Sequence, residues 1–347
     1  VGAVPEVDFE FSGVGSDISF LADAELESSS AVGDAIANYV WYYGDGSNDS
    51  HTVETSSHVY APGVDTVTLF VTTSIGCRDS LSKPIVILPT AVSSDYRETF
   101  NTSSGDWQSF VTDEDSPGAT WEYGTVNKTN INGADGMAWV TALTGSYIAR
   151  ERSALYSPVF DLSDLERPII SFRYFTDMPV SDGVVLEYST DNLNAADEDK
   201  HWEVLGKSTQ SDENPSGVEW YHTTGITAKP GIQETGDYGW TTRDTQWRDA
   251  KHKLNSIPQS ERSRVVFRFA LASAQQTQPA NDGFALDNFN IGNGTRTVLL
   301  EGFTNIGSTD PQMRIQRDTI TNFVNDVENV EVVKVNYHVG FPATDPF

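Results

Sequence analysis

The sequence predicts a mainly β protein, two sandwiches followed by a short α/β segment. Three observations predict this. Apolar and polar residues alternate from Val64 to Val71, with Val64, Thr66 and Thr68 set against Val67, Leu69 and Val71; period 2 marks a half-buried strand. Short strand candidates recur at residues 137–141, 169–175, 184–188, 265–271 and 284–291, between turn clusters and without a long amphipathic helix. Only beyond residue 295 does a strand, helix, strand order emerge, and that order implies a parallel strand pair.

The first unit spans residues 1–90. Val7, Phe9 and Phe11 alternate, Ile18 and Phe20 follow, and a strand over 84–88 closes the unit. Trp41, Tyr42 and Tyr43 are expected to pin a strand into the core. They lead into Gly44-Asp45-Gly46, where glycine reaches positive φ without steric conflict. This turn, the HxY of His58 and Tyr60, and the PG-xx-TVTLxV run resemble a PKD domain, although that family usually carries Asp where Tyr42 stands. The resemblance implies an immunoglobulin-like sandwich of a secreted or surface protein, without catalysis, in which His58 packs beside Tyr60. Residues 89–95, rich in turn formers, read as a linker.

The second unit spans residues 96–293. Regular short strands over this length fit one large sandwich of jelly-roll type. Its landmarks run in a specific order: ETF at Glu98, Trp107, WEYG, DGMAWV, LYSPVFDLSDLERPIISFRYF, DGVVLEYSTD, VVFRFALAS and DGFALDNFNIG. The succession resembles the MAM-like jelly rolls of immune-inhibitor-A-type secreted peptidases and of surface proteins of Bacteroidota. By that resemblance, calcium is expected where the first strand meets the last, on Glu98, Asp287 and Asn288. In the first unit Asp45 is the corresponding candidate.

Residues 295–347 form the third unit. TVLLEGFTN and VEVVKVNYHV read as strands, and Ile315, Ile320, Phe323 and Val324 space the apolar face of a helix over 310–327. The LLEGFT run, Tyr337-His338 and Asp345-Pro346-Phe347 resemble the opening of thioredoxin-like domains in secreted Bacteroidota proteins. The turn at 306–310 contains no cysteine, so the segment is a partial or degenerate unit. Disulfide exchange needs an attacking thiolate and a second sulfur, and Ser308 and Thr309 supply neither.

Composition bounds the function. Fifty Asp and Glu oppose 22 Lys and Arg, a net charge of −28. Nucleic-acid binding is excluded, because a basic face must neutralise phosphates, and an anionic membrane surface is disfavoured equally. No segment is long and apolar enough for direct membrane insertion. The single cysteine, Cys77, allows no internal disulfide. The start at Val1 and the end at Phe347 are those expected of a piece of a longer protein.

Catalytic constellations are weak. None of the six histidines stands beside a G-x-S-x-G elbow, and no H-E-x-x-H is present. Asp182/Glu187 and Asp282/Asp287 are spaced acids, yet each pair joins a turn to a strand, and the two-carboxylate geometry of glycosidases does not follow from spacing. Ca²⁺, which takes six to eight hard oxygens gathered from loops, is the better chemical expectation. Trp220, Tyr221 and Trp240 lie in a Gly-, Thr- and Asp-rich stretch that reads as long loops. Loops on a rigid sandwich concentrate binding residues, so these three are the candidate glycan-stacking face.

The reading is a non-catalytic secreted or cell-surface protein acting in adhesion, ligand binding or spacing. Its expected partners are glycans or surface and matrix proteins, including other surface or secretion-system proteins. The Bacteroidota resemblance implies export by that phylum's surface secretion system. Two other readings stay open: the accessory region of a secreted peptidase or polysaccharide-degrading enzyme, and a structural subunit of a surface filament.

Overall fold

A computed structural model describes residues 3–14, 16–26, 32–90, 95–132, 134, 136–191, 201–206, 217–222, 224–274, 281–294, 299–305, 312–315 and 334–339. Among them the regular structure is nearly all strand, with no α-helix and a single 3-10 turn at Gln259–Glu261. The chain divides into two compact units, Val1–Gly292 and Asn293–Phe347.

Seven strands open the chain: β1 (Glu6–Val14), β2 (Asp17–Glu25), β3 (Ile36–Tyr42), β4 (Asn48–His51), β5 (Thr55–Val59), β6 (Gly63–Thr73) and β7 (Arg78–Ile87). They form a sheet of order β1-β2-β5 and another of order β4-β3-β6-β7. Alternate residues of β1, β2, β3, β6 and β7 meet between the sheets. Phe9, Phe20, Trp41, Val67, Leu69 and Ile85 are among the buried residues of that core. Trp41 anchors it, with Phe9 edge-on at 5.3 Å and Phe20 tilted at 5.3 Å. Because the strand alternates, Trp41 and Tyr43 point inward while Tyr42 between them is 47% exposed. The tight turn requires its first glycine: Gly44 has φ +92°, and a Cβ there would lie 2.7 Å from the Thr66 amide nitrogen.

Twelve strands follow: β8 (Tyr96–Glu98), β9 (Gln108–Val111), β10 (Trp121–Thr125), β11 (Met137–Thr141), β12 (Arg152–Tyr156), β13 (Pro168–Asp177), β14 (Gly183–Ser189), β15 (Glu203–Val204), β16 (Gly217–Val218), β17 (Arg248–Lys253), β18 (Val266–Ala272) and β19 (Gly283–Asn293). One sheet has the order β10-β11-β19-β13-β17-β16 with β8 also on β19; the other runs β15-β14-β18-β12-β9. Most neighbours in the sheets are not consecutive in sequence, and the first strand pairs with the last through Phe289 and Glu98. An aromatic core including Trp107, Phe172, Trp240, Phe269, Phe284 and Phe289 fills the space between the sheets. All five strand segments expected here lie on strands of the fold, within a residue at most at one end.

The 89–95 stretch is tied down where it is described. Val159 donates to the Pro89 carbonyl at 2.8 Å, Thr90 bridges Val159, and Leu88 is buried in the second core. Its start is therefore anchored to the second sandwich rather than left as a free tether.

In the C-terminal unit, β20 (Leu299–Asn305) pairs in parallel with β22 (Lys334–Val339), as the strand order implied. The helix expected over 310–327 is corrected at its start. Gln312–Ile315 forms a strand, β21, antiparallel to β20. A free edge of β20 offers backbone partners to these residues, and such pairing outweighs a loose helical spacing. Ile320, Phe323, Val324, Ser308, Thr309 and the Asp345-Pro346-Phe347 end lie outside the described residues.

Candidate functional site

Asp45 is the first expected metal ligand, and in the fold it is hydrogen-bonded to Ser47 and His58. Its Oδ1 accepts from the Ser47 amide at 2.9 Å and the Ser47 hydroxyl at 2.5 Å, and its Oδ2 lies 2.7 Å from His58 Nε2. The Ser47 hydroxyl, then His58, then the Ser47 amide hold its carboxyl down to about 2. His58 in turn stacks on Tyr43 at 4.1 Å and meets Tyr60 edge-on at 4.7 Å. Asp45 thus clamps the turn to a packed imidazole. Ser47 Oγ is also within 3.2 Å of His58 Nε2. Serine and acid share one ring nitrogen, whereas a catalytic triad needs one at each.

Glu98 pairs with Phe289 where β8 meets β19, and Asp287 and Asn288 immediately precede that pairing on β19. Glu98 Oε1 accepts from the Phe100 amide at 2.7 Å and Oε2 from the Ser103 hydroxyl at 3.3 Å. Gly105, at φ +67°, lies so close that an added Cβ would sit 2.6 Å from Glu98 Cγ. Asp287 is fully buried; its Oδ1 accepts from the Asn288 amide at 2.8 Å, and Arg173 Nη1 lies 3.9 Å from Oδ2. Asn288 takes φ 50°, kinking β19 where its partner changes from β11 to β8. The donors are hard oxygens, and one is a carboxylate removed from water, so the chemistry of the set fits Ca²⁺. Among the described residues no three His, Cys, Asp or Glu side chains gather as a metal cluster. A cation here would need amide and backbone oxygens to complete its shell.

Trp220, Tyr221 and Trp240 have no exposed surface. Trp240 packs at 5.1 Å from Trp220, 4.6 Å from Tyr221 and 5.5 Å from Phe172. Trp220 Nε1 donates to the Leu205 carbonyl at 2.8 Å, and the Tyr221 hydroxyl donates to the Leu186 carbonyl at 3.0 Å. These rings plug the core from irregular segments, with their polar ends satisfied inside. Rings without exposed surface offer no face to a sugar, and the stacking expectation is corrected accordingly.

The half-exposed tryptophans of the sandwich are Trp202 and Trp247. Trp202 lies at the edge of the five-stranded sheet, beside β15. The Arg268 guanidinium sits 3.8 Å from the centre of its ring, and Tyr156 meets it edge-on at 5.6 Å. Half-buried Phe110 extends the aromatic row, 5.3 Å from Tyr156. Arg268 donates to Glu187 Oε2 at 2.6 Å and to the Tyr156 hydroxyl at 2.9 Å, while Glu187 Oε1 accepts from the Ile232 amide at 2.6 Å. Burial opposes the Arg268 charge, yet Glu187 and Tyr156 outweigh it and raise its pKa. A buried, ion-paired guanidinium therefore fixes the plane of a half-exposed indole.

His201 and Glu203, on either side of Trp202, line a polar cleft of about 480 Å³ together with Tyr188, Thr190, Asp191 and Glu261. Tyr188 donates to Glu203 at 2.6 Å, the His201 amide to Asp191 at 2.7 Å, and Thr190 to Glu261 at 3.2 Å. A rigid ring next to carboxylate and hydroxyl groups matches what a sugar presents, an apolar ring face rimmed by hydroxyls. Trp202 escaped sequence reasoning because it stands in an Asp-rich run; its one signal was an aromatic flanked by polar neighbours, His201 and Glu203.

The spaced acids are internal. Asp182 accepts from Tyr147, Ser181 and the Ala274 amide, and Asp282 accepts from the Asn130 and Ile131 amides. Each ties a loop to the sandwich.

The PKD domain family matches residues 15–87 of the chain. No curated protein matches it. Among solved structures the chain is similar to the PKD1 domain of Vibrio anguillarum Epp, with 23% identity, 25% of this chain and 96% of that one covered, and a TM-score of 0.22. It is similar to the K1 cleaved adhesin domain of Lys-gingipain from Porphyromonas gingivalis W83, with 16% identity, 58% and 100% covered, and a TM-score of 0.33. It is also similar to a carbohydrate-binding module of the β-sandwich superfamily, with 16% identity, 84% and 99% covered, and a TM-score of 0.29.

Proposed function

We propose that this chain is a non-catalytic, extracellular binding protein of the adhesion type that recognises glycans at the Trp202 edge of its second sandwich. The observation that carries the reading is the half-exposed Trp202, held flat by Arg268 next to the cleft of Asp191, His201, Glu203 and Glu261. The PKD match over residues 15–87 supports the extracellular setting. No helix among the described residues is long and apolar enough to cross a membrane. In this reading the chain has three modules, 1–90, 96–293 and 295–347, the last thioredoxin-like; the parallel pairing of β20 with β22 supports that part.

Calcium belongs to the same proposal as a structural ion. Glu98, Asp287 and Asn288 would hold it, and its charge would offset the buried Asp287 carboxylate where the first and last strands join.

A glycan array probed with the chain and with Trp202→Ala tests the proposal. Retention of one glycan class by the wild type and its loss in the variant is the expected outcome. Equal binding by both proteins, or no glycan bound by either, refutes it.

A further inference from the structure

The two outer faces of the first sandwich differ sharply in charge. On the β1-β2-β5 sheet, exposed carboxylates stand directly opposite one another, Glu6 across from Glu25 and Asp8 across from Asp23. Like charges in such register are destabilising. The opposite face is nearly free of charge. The outward positions of β3, β4 and β6 carry no charged side chain, and those of β7 carry only Arg78 at its start. Among the described residues, no outward strand position of this face is Asp or Glu.

At its centre, Tyr42 is 47% and Phe70 40% exposed, with ring centroids 5.6 Å apart at 75°. Cross-strand hydroxyls surround them. Thr68 and Ser82 are bonded at 2.8 Å, and Thr66 and Ser80 are exposed on the neighbouring rows. Four strands spaced about 4.8 Å apart make this a face roughly 14 Å across.

We propose that the β4-β3-β6-β7 face is a second binding surface, and that its occupant is a neutral polysaccharide chain. Charge complementarity selects the class. An acidic polymer is repelled by a protein of net charge −28 and finds no basic cluster on this face. A basic partner finds its carboxylates on the other sheet. Composition separates a sugar from a protein: protein interfaces are enriched in aromatics but depleted in serine, whereas here two aromatic rings are set among hydroxyls that bond to hydroxyls. The inference is independent of the Trp202 edge.

Depletion of the full chain from solution by microcrystalline cellulose and by chitin, with alginate as the acidic comparison, tests it. The expected result is retention on at least one neutral polymer and none on alginate. Tyr42→Ala/Phe70→Ala should bind about tenfold more weakly or worse, Ser82→Glu should lose retention, and Trp202→Ala should keep it. All these side chains face solvent, and unchanged thermal unfolding of the variants checks that the fold is intact. Absence of retention on both neutral polymers, equal retention on alginate, or variants that bind like wild type overturn the proposal. A dimer that Ser82→Glu dissociates, without retention on either neutral polymer, gives the face to a second copy and overturns it too.

Discussion

Replacing Arg268 by methionine removes the cation that neutralises Glu187 in the interior of the second sandwich. Glu187 has no exposed surface and Arg268 only 8%. The variant leaves a buried carboxylate with one remaining described hydrogen bond, the 2.6 Å contact from the Ile232 amide. Breaking a buried pair from one side costs about 3–5 kcal/mol. In a domain of this size that corresponds to a melting shift of roughly 6–20 °C. Glu187→Gln relieves the stranded charge, so the double variant Glu187→Gln/Arg268→Met should recover much of the loss. The cycle should then show a coupling of about 1–3 kcal/mol. Calorimetric unfolding of the four proteins provides the numbers. Trp202 fluorescence is a second readout, because the indole loses the guanidinium stacked on it. A single-variant loss below about 1 kcal/mol, or strictly additive effects, would show that the pair does not hold this site together.

Three further outcomes follow from the same contacts. Millimolar Ca²⁺ should raise the melting temperature of the second sandwich over that in chelator, and Asp287→Asn should abolish the difference; equal melting temperatures in wild type would remove calcium from the account. Trp220→Ala and Trp240→Ala should each destabilise by about 3–5 kcal/mol through lost core packing, so denaturant titration, rather than ligand binding, is where they should register. Asp45 is held down to about 2 against 3.8 unfolded. Its contribution is therefore present above pH 3.8 and is lost as pH falls through about 2. Asp45→Asn should be less stable than wild type at pH 7, modestly because the carboxylate is a third exposed, with the gap closing in acid; a gap independent of pH refutes the assignment.

Strand alternation made the first sandwich readable. Period 2 places Trp41 and Tyr43 in the core, and the same rule sends Tyr42 outward, where it stands 47% exposed. The seven-on-five strand arrangement was legible only as a succession of landmarks, because strands that pair, such as β8 and β19, lie nearly two hundred residues apart in sequence. The irregular stretch around Trp220 and Trp240 has no period, so sequence alone did not show that its rings turn inward. Trp202 was missed for the complementary reason. What makes it a candidate site is Arg268 and Glu187, brought to it from β18 and β14 by the sheet. The helix placed over 310–327 rested on a few apolar positions, and at Gln312–Ile315 the open edge of β20 prevailed.

The most direct measurement is a calorimetric titration of the full chain with the glycan retained on the array, repeated for Trp202→Ala and for Trp247→Ala. Trp247 is the other half-exposed indole, and its Nε1 already donates to the Asn132 carbonyl at 2.8 Å. Trp202→Ala is expected to weaken binding by tenfold or more, about 1.4 kcal/mol, while Trp247→Ala leaves Kd unchanged. Unchanged affinity in Trp202→Ala, with the fold intact, would contradict that expectation.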